Sequence, residues 1–386
     1  MTQNVDVLAK VLAVRDDLAA NLLERETAIE LAIIALLIGE HMLCLGPPGT
    51  AKSLLVRSLC QRIKDAIYFE HLLTRFSTPE EISGPLSLSS LENDQYRRIT
   101  TGTLVEAHIG FLDEVFKANS AILNSLLGVI NERLYHEAGQ AVTVPLISMF
   151  GASNELPEDN GLAALHDRFM LRIVVAPLAD DASMRMLLTH QPTRPAATIT
   201  LDDLRAAQTE VQRLPLTDDA REAIIAIKHG LEEEGVAASD RRWKATTMLV
   251  RAKAWLEGES QTSSDNCEVL VHALWDTPAQ IRVVDRVVAK VSNFLNLEAV
   301  ELEDAALDLY QQRPKPEHPQ ITEALEPILR QLSDIHTRLE QRINAVPEKR
   351  AFRARQALTK IETYHRALSQ LALKSLSRMH LAPGAA

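Results

Sequence analysis

The stretch Gly46-Pro47-Pro48-Gly49-Thr50-Ala51-Lys52-Ser53 decides the fold of this chain. It follows the apolar run Met42–Leu45 and precedes residues 54–59, whose apolar positions have helical spacing. A strand, a glycine-rich turn and a helix in this order are typical of a phosphate-binding loop. Glycines let the backbone wrap around phosphates, and the first N–H groups of the helix point at the anion. The stretch therefore predicts a nucleotide site that runs from Gly46 to Leu54.

Two side chains at the end of the loop supply the chemistry of such a site. Lys52 is placed to reach the β- and γ-phosphates of ATP as a mobile positive charge, and Ser53 offers a hydroxyl to Mg²⁺. Ala51 stands where the common pattern has a glycine before the lysine. Alanine fits most phosphate-loop geometries if its φ is negative, and on that condition we expect the loop to bind ATP.

A second segment ends in two acids. The apolar residues 109–112 are followed directly by Asp113 and Glu114. After a phosphate loop, such a pair is typical of ATP hydrolysis. Asp113 can hold the magnesium ion bound at Ser53, directly or through water, and Glu114 can orient and polarise the attacking water.

A third strand carries a polar residue at its end. Residues 145–152 form an apolar run that ends at Ser153 and Asn154. The side chain of Asn154 can reach the γ-phosphate or the lytic water, or it can simply form the turn before Pro157. Strands and helices alternate up to residue 175, which predicts a parallel sheet covered on both faces. The ligand is then expected at the carboxyl ends of the strands.

Composition limits the class of protein. The 386 residues suggest two or three domains, and a hydrophobic fraction of 46% is ordinary for a soluble globular chain. The net charge of −11 gives no global reason to expect a nucleic-acid binder. Cys44, Cys60 and Cys267 are scattered, which argues against a disulfide framework and against structural zinc. With no signal peptide and no apolar stretch long enough to span a bilayer, a cytoplasmic protein is expected.

Three domains are predicted: an α/β core with the phosphate loop at residues 1–190, a helical lid at 191–300, and a C-terminal helical hairpin at 301–386. In the core, residues 66–70 read as a strand, 86–108 as a hairpin-like insertion and 133–145 as a hairpin. Strand signals vanish after residues 189–195. Helices are predicted in the lid at residues 202–213, 218–233, 241–257, 266–274 and 280–297.

The C-terminal hairpin has a charged second arm. Its first arm has a heptad-like seam of apolar residues from Leu325 to Ile343. Residues 349–380 of the second arm hold eight Lys and Arg against Glu362 alone. This arm is either a solvated face beside an acidic neighbour or a docking surface for an acidic partner or nucleic acid.

Together these segments resemble the AAA+ ATPases of the MoxR group, and within it most closely the RavA subfamily. The resemblance covers about residues 5–300. It implies a homo-oligomeric ring, usually a hexamer, with ATP bound between neighbours. The segments that carry it are residues 46–53, 74–81, 111–114, 130–133, 151–157 and 239–243.

The resemblance also implies roles for single residues. Asn154 matches sensor 1, Arg168 matches the arginine finger supplied in trans, and Arg241 matches the sensor 2 arginine. Arg172 and Arg242 are near neighbours that could take the two arginine roles instead. A guanidinium suits these roles because it stays charged and presents a rigid fork of donors to a phosphoryl group. Residues 77–108 match the family's helix-2 insertion, and residues 133–145 match its pre-sensor hairpin.

MoxR relatives typically act with a von Willebrand A-domain protein to mature or activate target proteins, which implies an ATP-driven remodelling ring. The chain departs from the better-known RavA proteins in that no β-rich domain is inserted among its C-terminal helices. Two alternatives are a nucleotide-dependent switch or scaffold in stress or defence signalling, and a nucleic-acid motor that uses the arm at 349–380. The acidic net charge and the low aromatic content count against the motor.

Overall fold

The computed structural model of the chain describes residues 2–137, 140–157, 160–189, 194–292, 294–315, 318, 320–345 and 351–381. Its contacts group the chain into two compact units. The nucleotide unit consists of Met1–Leu216, Ala238–Thr262 and His272–Pro278. The helical unit consists of Thr217–Ala237, Ser263–Val271 and Ala279–Ala386. The division into three domains at residues 190 and 300 remains a prediction.

The nucleotide unit is built on a five-stranded parallel sheet in the order β3-β4-β7-β1-β8. The central strands β1, β4 and β7 are buried almost throughout, as expected for a parallel sheet with helices on both faces, and the sheet confirms the predicted α/β fold class. The predicted strand at 66–70 lies two residues further on. The strands are β1 (Met42–Leu45), β2 (Ile63–Lys64), β3 (Tyr68–Leu72), β4 (Ile109–Asp113), β5 (Leu134–Glu137), β6 (Gln140–Thr143), β7 (Ser148–Ser153), β8 (Leu171–Val174) and β9 (Ile199–Thr200).

The register of the sheet brings the ends of three strands to one edge. Leu45, the last residue of β1, pairs with Ser153 at the end of β7 and with Val174 at the end of β8. On the other side of β7, Leu112 of β4 pairs with Gly151. The chain therefore leaves β1, β4 and β7 at the same edge of the sheet. This edge is where ligands bind in open α/β sheets.

The helices of the nucleotide unit cover this sheet. α2 is apolar on almost every face and is buried along most of its length, and it ends where Gly39 adopts a left-handed φ of 71°. α11 packs against α2 and α9, and Lys253 of α11 donates to Glu30 of α2 at 2.8 Å. The helices are α1 (Thr2–Asn21), α2 (Glu26–Ile38), α3 (Lys52–Cys60), α4 (Pro79–Ser83), α5 (Leu88–Leu91), α6 (Ser120–Glu132), α7 (Asn160–Arg168), α8 (Asp181–Thr189), α9 (Leu201–Arg213) and α11 (Asp240–Leu256).

Two loop predictions for this unit have different outcomes. The hairpin predicted at 133–145 is confirmed by the antiparallel pair β5–β6, although its turn at 138–139 lies outside the described residues. The insertion at 86–108 is not a strand hairpin. One antiparallel bridge between Leu86 and Arg98 closes it, and inside it Ser87 accepts from the Ser90 N–H and starts the short helix α5. A serine cap favours a helical turn over a second strand.

The prediction that strands end before residue 195 is wrong in one place, because Ile199 and Thr200 of β9 pair with β2 in parallel. Residues 266–274 are predicted as an α-helix, and the structure has a 3-10 helix at Ser264–His272. The helix predicted at 280–297 corresponds to two described helices, Ile281–Ser292 and Phe294–Gln311, and residue 293 between them lies outside the described residues.

The helical unit buries an apolar core between three long helices, α13, α14 and α15. The predicted seam is confirmed, since Leu325, Leu332, Leu339 and Ile343 are all buried. The predicted hairpin therefore packs on a third helix. The helices of this unit are α10 (Asp218–Glu233), α12 (Ile281–Ser292), α13 (Phe294–Gln311), α14 (Ile321–Asn344) and α15 (Phe352–Leu381).

The basic arm of the C-terminal hairpin pairs with acids of its own unit. Arg353 contacts Asp285 at 2.5 Å and Glu303 at 3.0 Å, and Lys360 contacts Glu303 at 2.5 Å. Burial pushes the pKa of Glu303 up, but Arg353 and Lys360 outweigh it and hold the pKa below its ordinary value. These contacts favour the reading of a charged face beside an acidic neighbour. No helix in the described part of the chain is long and apolar enough to cross a membrane.

Candidate active site

The carboxyl edge of the sheet holds a cavity of about 370 Å³. It brings together the predicted phosphate loop, the predicted pair of acids and Asn154. Among the predicted loop residues, Pro47 alone is not part of the lining, and its carbonyl faces Lys52 instead. The lining residues are Gly46, Pro48, Gly49, Thr50, Ala51, Lys52, Ser53, Leu54, Asp113, Glu114, Ser153 and Asn154.

The backbone of the loop explains two of its glycines and revises one expectation. A Cβ on Gly46 would lie 2.2 Å from the carbonyl oxygen of Val175, so no side chain fits there. Gly49 adopts a φ of +78°, in the left-handed region. Ala51 has a φ of +65°, so the condition of a negative φ is not met. A left-handed alanine costs about 1 to 2 kcal/mol, which is the strain that a glycine at this position would relieve.

Lys52 folds over the mouth of the loop. Its Nζ donates to the carbonyl oxygens of Gly46 and Pro47, both at 2.8 Å, and lies 3.4 Å from Thr50 Oγ1. The ammonium group therefore sits where the loop wraps its ligand. Because it is a mobile group with three donors, it can exchange a carbonyl for a phosphate oxygen.

The two acids at the end of β4 face the same cavity. Asp113 accepts from the backbone N–H of Glu114 at 3.0 Å. Glu114 adopts a left-handed backbone, with a φ of 52°, which is unusual for a side chain other than glycine and is found at functional sites. Its Oε2 is buried without a hydrogen bond, although Lys117 Nζ lies 3.2 Å away outside hydrogen-bond geometry. A buried acceptor of this kind is a place for a water molecule to donate.

Asn154 is exposed and lines the cavity directly after β7. The turn that carries it is fixed by its neighbours: Ser153 Oγ donates to the carbonyl oxygen of Glu155 at 2.7 Å and accepts from the N–H of Glu155 at 3.2 Å. Asn154 therefore lies in the turn before Pro157 and also lines the cavity, so the two alternatives for this residue do not exclude each other. Asn154 is held on the same side of the sheet as Lys52 and the acid pair.

Arg168 and Arg241 line a different cavity, of about 410 Å³. Arg168 ends α7, and Arg241 lies in the first turn of α11. No residue that lines this second cavity also lines the phosphate-loop cavity. Within one chain, the structure therefore does not bring either arginine to the phosphate loop. The lining residues are Glu40, Asp167, Arg168, Met170, Ser239, Arg241, Arg242, Lys244, Ala245, Thr247 and Met248.

Arg172 and Arg242, the alternative arginines, are buried and form hydrogen bonds within the unit. Arg172 donates to the carbonyl oxygens of Trp275 and His166 and to Asp276. Burial, and then the charge of Arg242, lower the pKa of Arg172 to about 10. Arg242 bridges Asp276 and Asp167 at 2.9 Å each. Both side chains hold the unit together, which leaves Arg168 and Arg241 as the accessible pair.

Sequence reasoning missed the residues around these arginines. Asp167 and Asp276 neutralise the buried pair, and Asn131 Oδ1 accepts from Arg241 at 3.4 Å. Glu40 also lines the second cavity, and burial raises its pKa, while Arg133 and Arg241 lower it. Asn131, Glu40 and Asp276 are far from Arg168 and Arg241 in the sequence, so no local pattern indicated them. Only Asp167, directly before Arg168, could have been found from the sequence.

The residues present fit Mg²⁺ held together with a nucleotide. No group of three or more His, Cys, Asp or Glu in the described ranges is arranged to hold a metal ion by itself. The phosphate-loop cavity instead offers Ser53 and Asp113, two oxygen donors. Mg²⁺ prefers oxygen ligands and usually takes one or two from the protein, with phosphates and waters completing the set.

Family models match both parts of the chain that carry the predicted site. Residues 9–213, just over half of the chain, match the model described as the MoxR domain in the MoxR-vWA-beta-propeller ternary systems. Residues 219–288 match the model of an AAA lid domain.

Several known proteins are similar to the chain. Two uncharacterized proteins of Methanocaldococcus jannaschii are 42% and 39% identical, over 72% and 75% of this chain and 75% and 76% of their own lengths. A structural protein of Acidianus two-tailed virus is 27% identical over 47% of this chain and 32% of its own. The crystal structure of a candidate ATPase from Cytophaga hutchinsonii has a TM-score of 0.63 and 17% identity, covering 75% of this chain and 96% of that one. This last likeness shows a shared fold.

Proposed function

The chain belongs to the MoxR family of AAA+ ATPases, and we propose that it forms a ring in which each ATP is hydrolysed between two neighbouring copies to remodel or activate a partner protein. The observation that carries the proposal is the phosphate-loop cavity. It collects a lysine, a hydroxyl, two acids and an amide at the carboxyl edge of one parallel sheet.

Each residue of this cavity has a separate role in the proposed hydrolysis. The loop from Gly46 to Leu54 binds the phosphates through backbone N–H groups, and Lys52 neutralises the β- and γ-phosphates. Ser53 and Asp113 would hold Mg²⁺, which neutralises the charge that develops on the phosphates. Glu114 accepts a hydrogen bond from the attacking water at its Oε2, which accepts no other hydrogen bond in the structure. Asn154 fixes the position of that water or of the γ-phosphate.

Arg168 and Arg241 act in trans in this proposal. Both line a cavity that shares no residue with the phosphate-loop cavity of the same chain. A finger from a neighbour stabilises the charge that develops on the transferred phosphoryl group and makes turnover depend on assembly. The burial of Arg172 and Arg242 supports the choice of the other two arginines. The ring is expected to be a hexamer, as the family implies.

The partner is proposed from the family model. Its description names ternary systems of a MoxR protein, a von Willebrand A-domain protein and a β-propeller. We therefore expect proteins of these two classes as the partners of this ring. The match favours these systems over the RavA subfamily, whose inserted β-rich domain has no counterpart among the described C-terminal helices. Remodelling of a client through these partners is the function that we propose.

A trapped assembly tests this function. Glu114→Gln keeps the loop but cannot polarise water, so it should bind ATP and lose turnover by about 100-fold or more. Purified from its native host in ATP, the trapped protein should carry a von Willebrand A-domain protein and a β-propeller protein, identified by mass spectrometry.

The matched control is Lys52→Ala, which should bind neither ATP nor these partners under the same conditions. Partners on both variants would mean that capture does not depend on nucleotide. Glu114→Gln that assembles with ATP but carries no protein would contradict the remodelling role, whereas a nuclease-sensitive nucleic acid would replace it by the motor.

A further inference from the structure

We propose that Lys244 is a third cation that contacts the nucleotide phosphates of the neighbouring copy, together with Arg168 and Arg241. The inference rests on the proposed function, because it assumes that these two arginines act in trans. It adds a phosphate ligand from α11 to the proposed active site.

Lys244 shares a face with Arg241. The two residues are three positions apart in α11, so their side chains are neighbours on the helix surface, and both line the cavity that Arg168 also lines. All three cations are accessible, since Arg241 and Lys244 are exposed and Arg168 is half-buried. In the described part of the chain, none of the three cations forms an ion pair, and Arg241 donates a hydrogen bond to Asn131 at 3.4 Å.

The position of Arg241, in the first turn of α11, is electrostatically unfavourable. The first turn of a helix carries partial positive charge, where acids are favoured and cations are not. Arg242 in the same turn is compensated by Asp167 and Asp276, whereas Arg241, and Lys244 in the turn that follows, form no ion pair among the described residues. Two acids line the same cavity: Asp167 is paired with Arg242, and burial raises the pKa of Glu40 although the charges of Arg133 and Arg241 act to lower it. An anion that binds here would relieve the repulsion.

The triphosphate of an ATP molecule bound to the neighbouring copy fits this cluster best. The phosphate-loop cavity contains Lys52 as its single cation among the lining residues, so charge on the transferred phosphoryl group is only partly neutralised within one chain. A lysine ammonium is a compact point charge that binds phosphate from many directions, and a guanidinium binds it through a fork. Lys244 therefore complements the two arginines instead of duplicating them.

Kinetics of three variants test the inference. Lys244→Ala should lower kcat/KM for ATP by about 10-fold or more, the effect of losing one charge-assisted hydrogen bond. Lys244→Arg should stay within about threefold of the unchanged protein because it keeps the charge. The matched control is Lys64→Ala, an exposed lysine of the same unit outside both cavities, which should leave kcat/KM unchanged. The urea midpoint of Lys244→Ala should not fall, since the side chain has no partner to lose.

Mixed rings show on which subunit Lys244 acts. A site then takes Glu114 from one copy and Lys244 from the next. In an equimolar random mixture of Lys244→Ala and Glu114→Gln, about a quarter of the sites are complete, so turnover should recover to about a quarter of the unchanged protein. No recovery above the Lys244→Ala chains alone would overturn the assignment in trans.

The remaining outcomes separate this inference from the proposed function. Full activity of Lys244→Ala beside an inactive Arg168→Ala would overturn the role of Lys244 alone. Full activity of both variants would overturn the shared site itself. If Lys244→Ala lowers only the turnover stimulated by a partner protein, the cavity is a protein-docking surface and the inference is wrong.

Discussion

Asp276 joins two buried arginines, and its removal should destabilise the nucleotide unit. One of its carboxylate oxygens accepts from Arg172 and from Arg242, each at 2.9 Å. The side chain of Arg172 is 0% exposed and that of Arg242 is 4% exposed, whereas that of Asp276 is 46% exposed. Asp276→Ala therefore leaves two guanidinium groups in the interior without their shared acid.

The size of the effect follows from these exposures. Removing one partner of a fully buried ion pair costs about 3 to 5 kcal/mol. Because Asp276 is nearly half exposed, solvent screens its interactions, and we expect a loss of about 2 kcal/mol in the free energy of unfolding. Asp276→Asn keeps the oxygen acceptor but loses the charge, so about 1 kcal/mol should be lost.

The dependence on pH has a definite sign. Burial pushes the pKa of Asp276 up, but Arg242 and Arg172 outweigh it and hold the pKa below the ordinary 3.8. A depressed pKa stabilises the fold above the pKa of the unfolded chain, and this contribution is lost as pH falls through the lower folded value. The gap between the unchanged protein and Asp276→Asn should be constant near neutral pH and should close below about pH 4.

Tryptophan fluorescence in urea measures this directly. All three tryptophans, Trp243, Trp255 and Trp275, lie in the nucleotide unit, so the signal reports on this unit alone. The matched control is Asp202→Ala, because the Asp202 side chain is 90% exposed and pairs with Arg205 at the surface. If Asp276→Ala shifts the midpoint no more than Asp202→Ala does, the buried network contributes nothing and the reasoning is refuted.

Two further stability predictions concern the phosphate loop and the helical unit. Ala51→Gly should raise the free energy of unfolding by about 0.5 kcal/mol, because relief of left-handed strain exceeds the added entropy of the unfolded chain. The control Ala13→Gly, in the middle of helix α1, should lower the free energy of unfolding by about 1 kcal/mol. If Ala51→Gly also lowers the free energy of unfolding, the strain assigned to Ala51 is contradicted. Arg353→Ala should destabilise the helical unit by about 3 kcal/mol in far-UV circular dichroism, since it removes the cation that the half-buried Asp285 and Glu303 share. An unchanged unfolding curve would show that this pairing is neutral.

The sequence was most informative where a function is contained in one short segment. The phosphate loop, the acid pair and Asn154 each follow an apolar strand, and parallel strands bring such ends to one edge. The placement of these residues in one cavity could therefore be predicted from spacing and from the rule for parallel sheets.

Contacts between distant segments could not be predicted in this way. Asp276 is 104 positions from Arg172 and 34 from Arg242, so no local pattern shows which arginine is buried and which stays accessible. The charge count of residues 349–380 also gave no sign of their partners, because Asp285 and Glu303 come from other helices. Ala51 adopts a left-handed φ although alanine disfavours that region, so the residue type alone did not predict it.

Mixed assemblies of Arg168→Ala and Glu114→Gln test the shared active site most directly. Each variant alone should be nearly inactive, since one lacks the proposed arginine finger and the other lacks the carboxylate proposed to polarise the attacking water. An equimolar mixture contains sites with an intact Glu114 from one copy and an intact Arg168 from the next, so turnover should rise to about a quarter of the unchanged protein. A mixture no more active than the two variants measured apart would contradict hydrolysis between neighbouring copies.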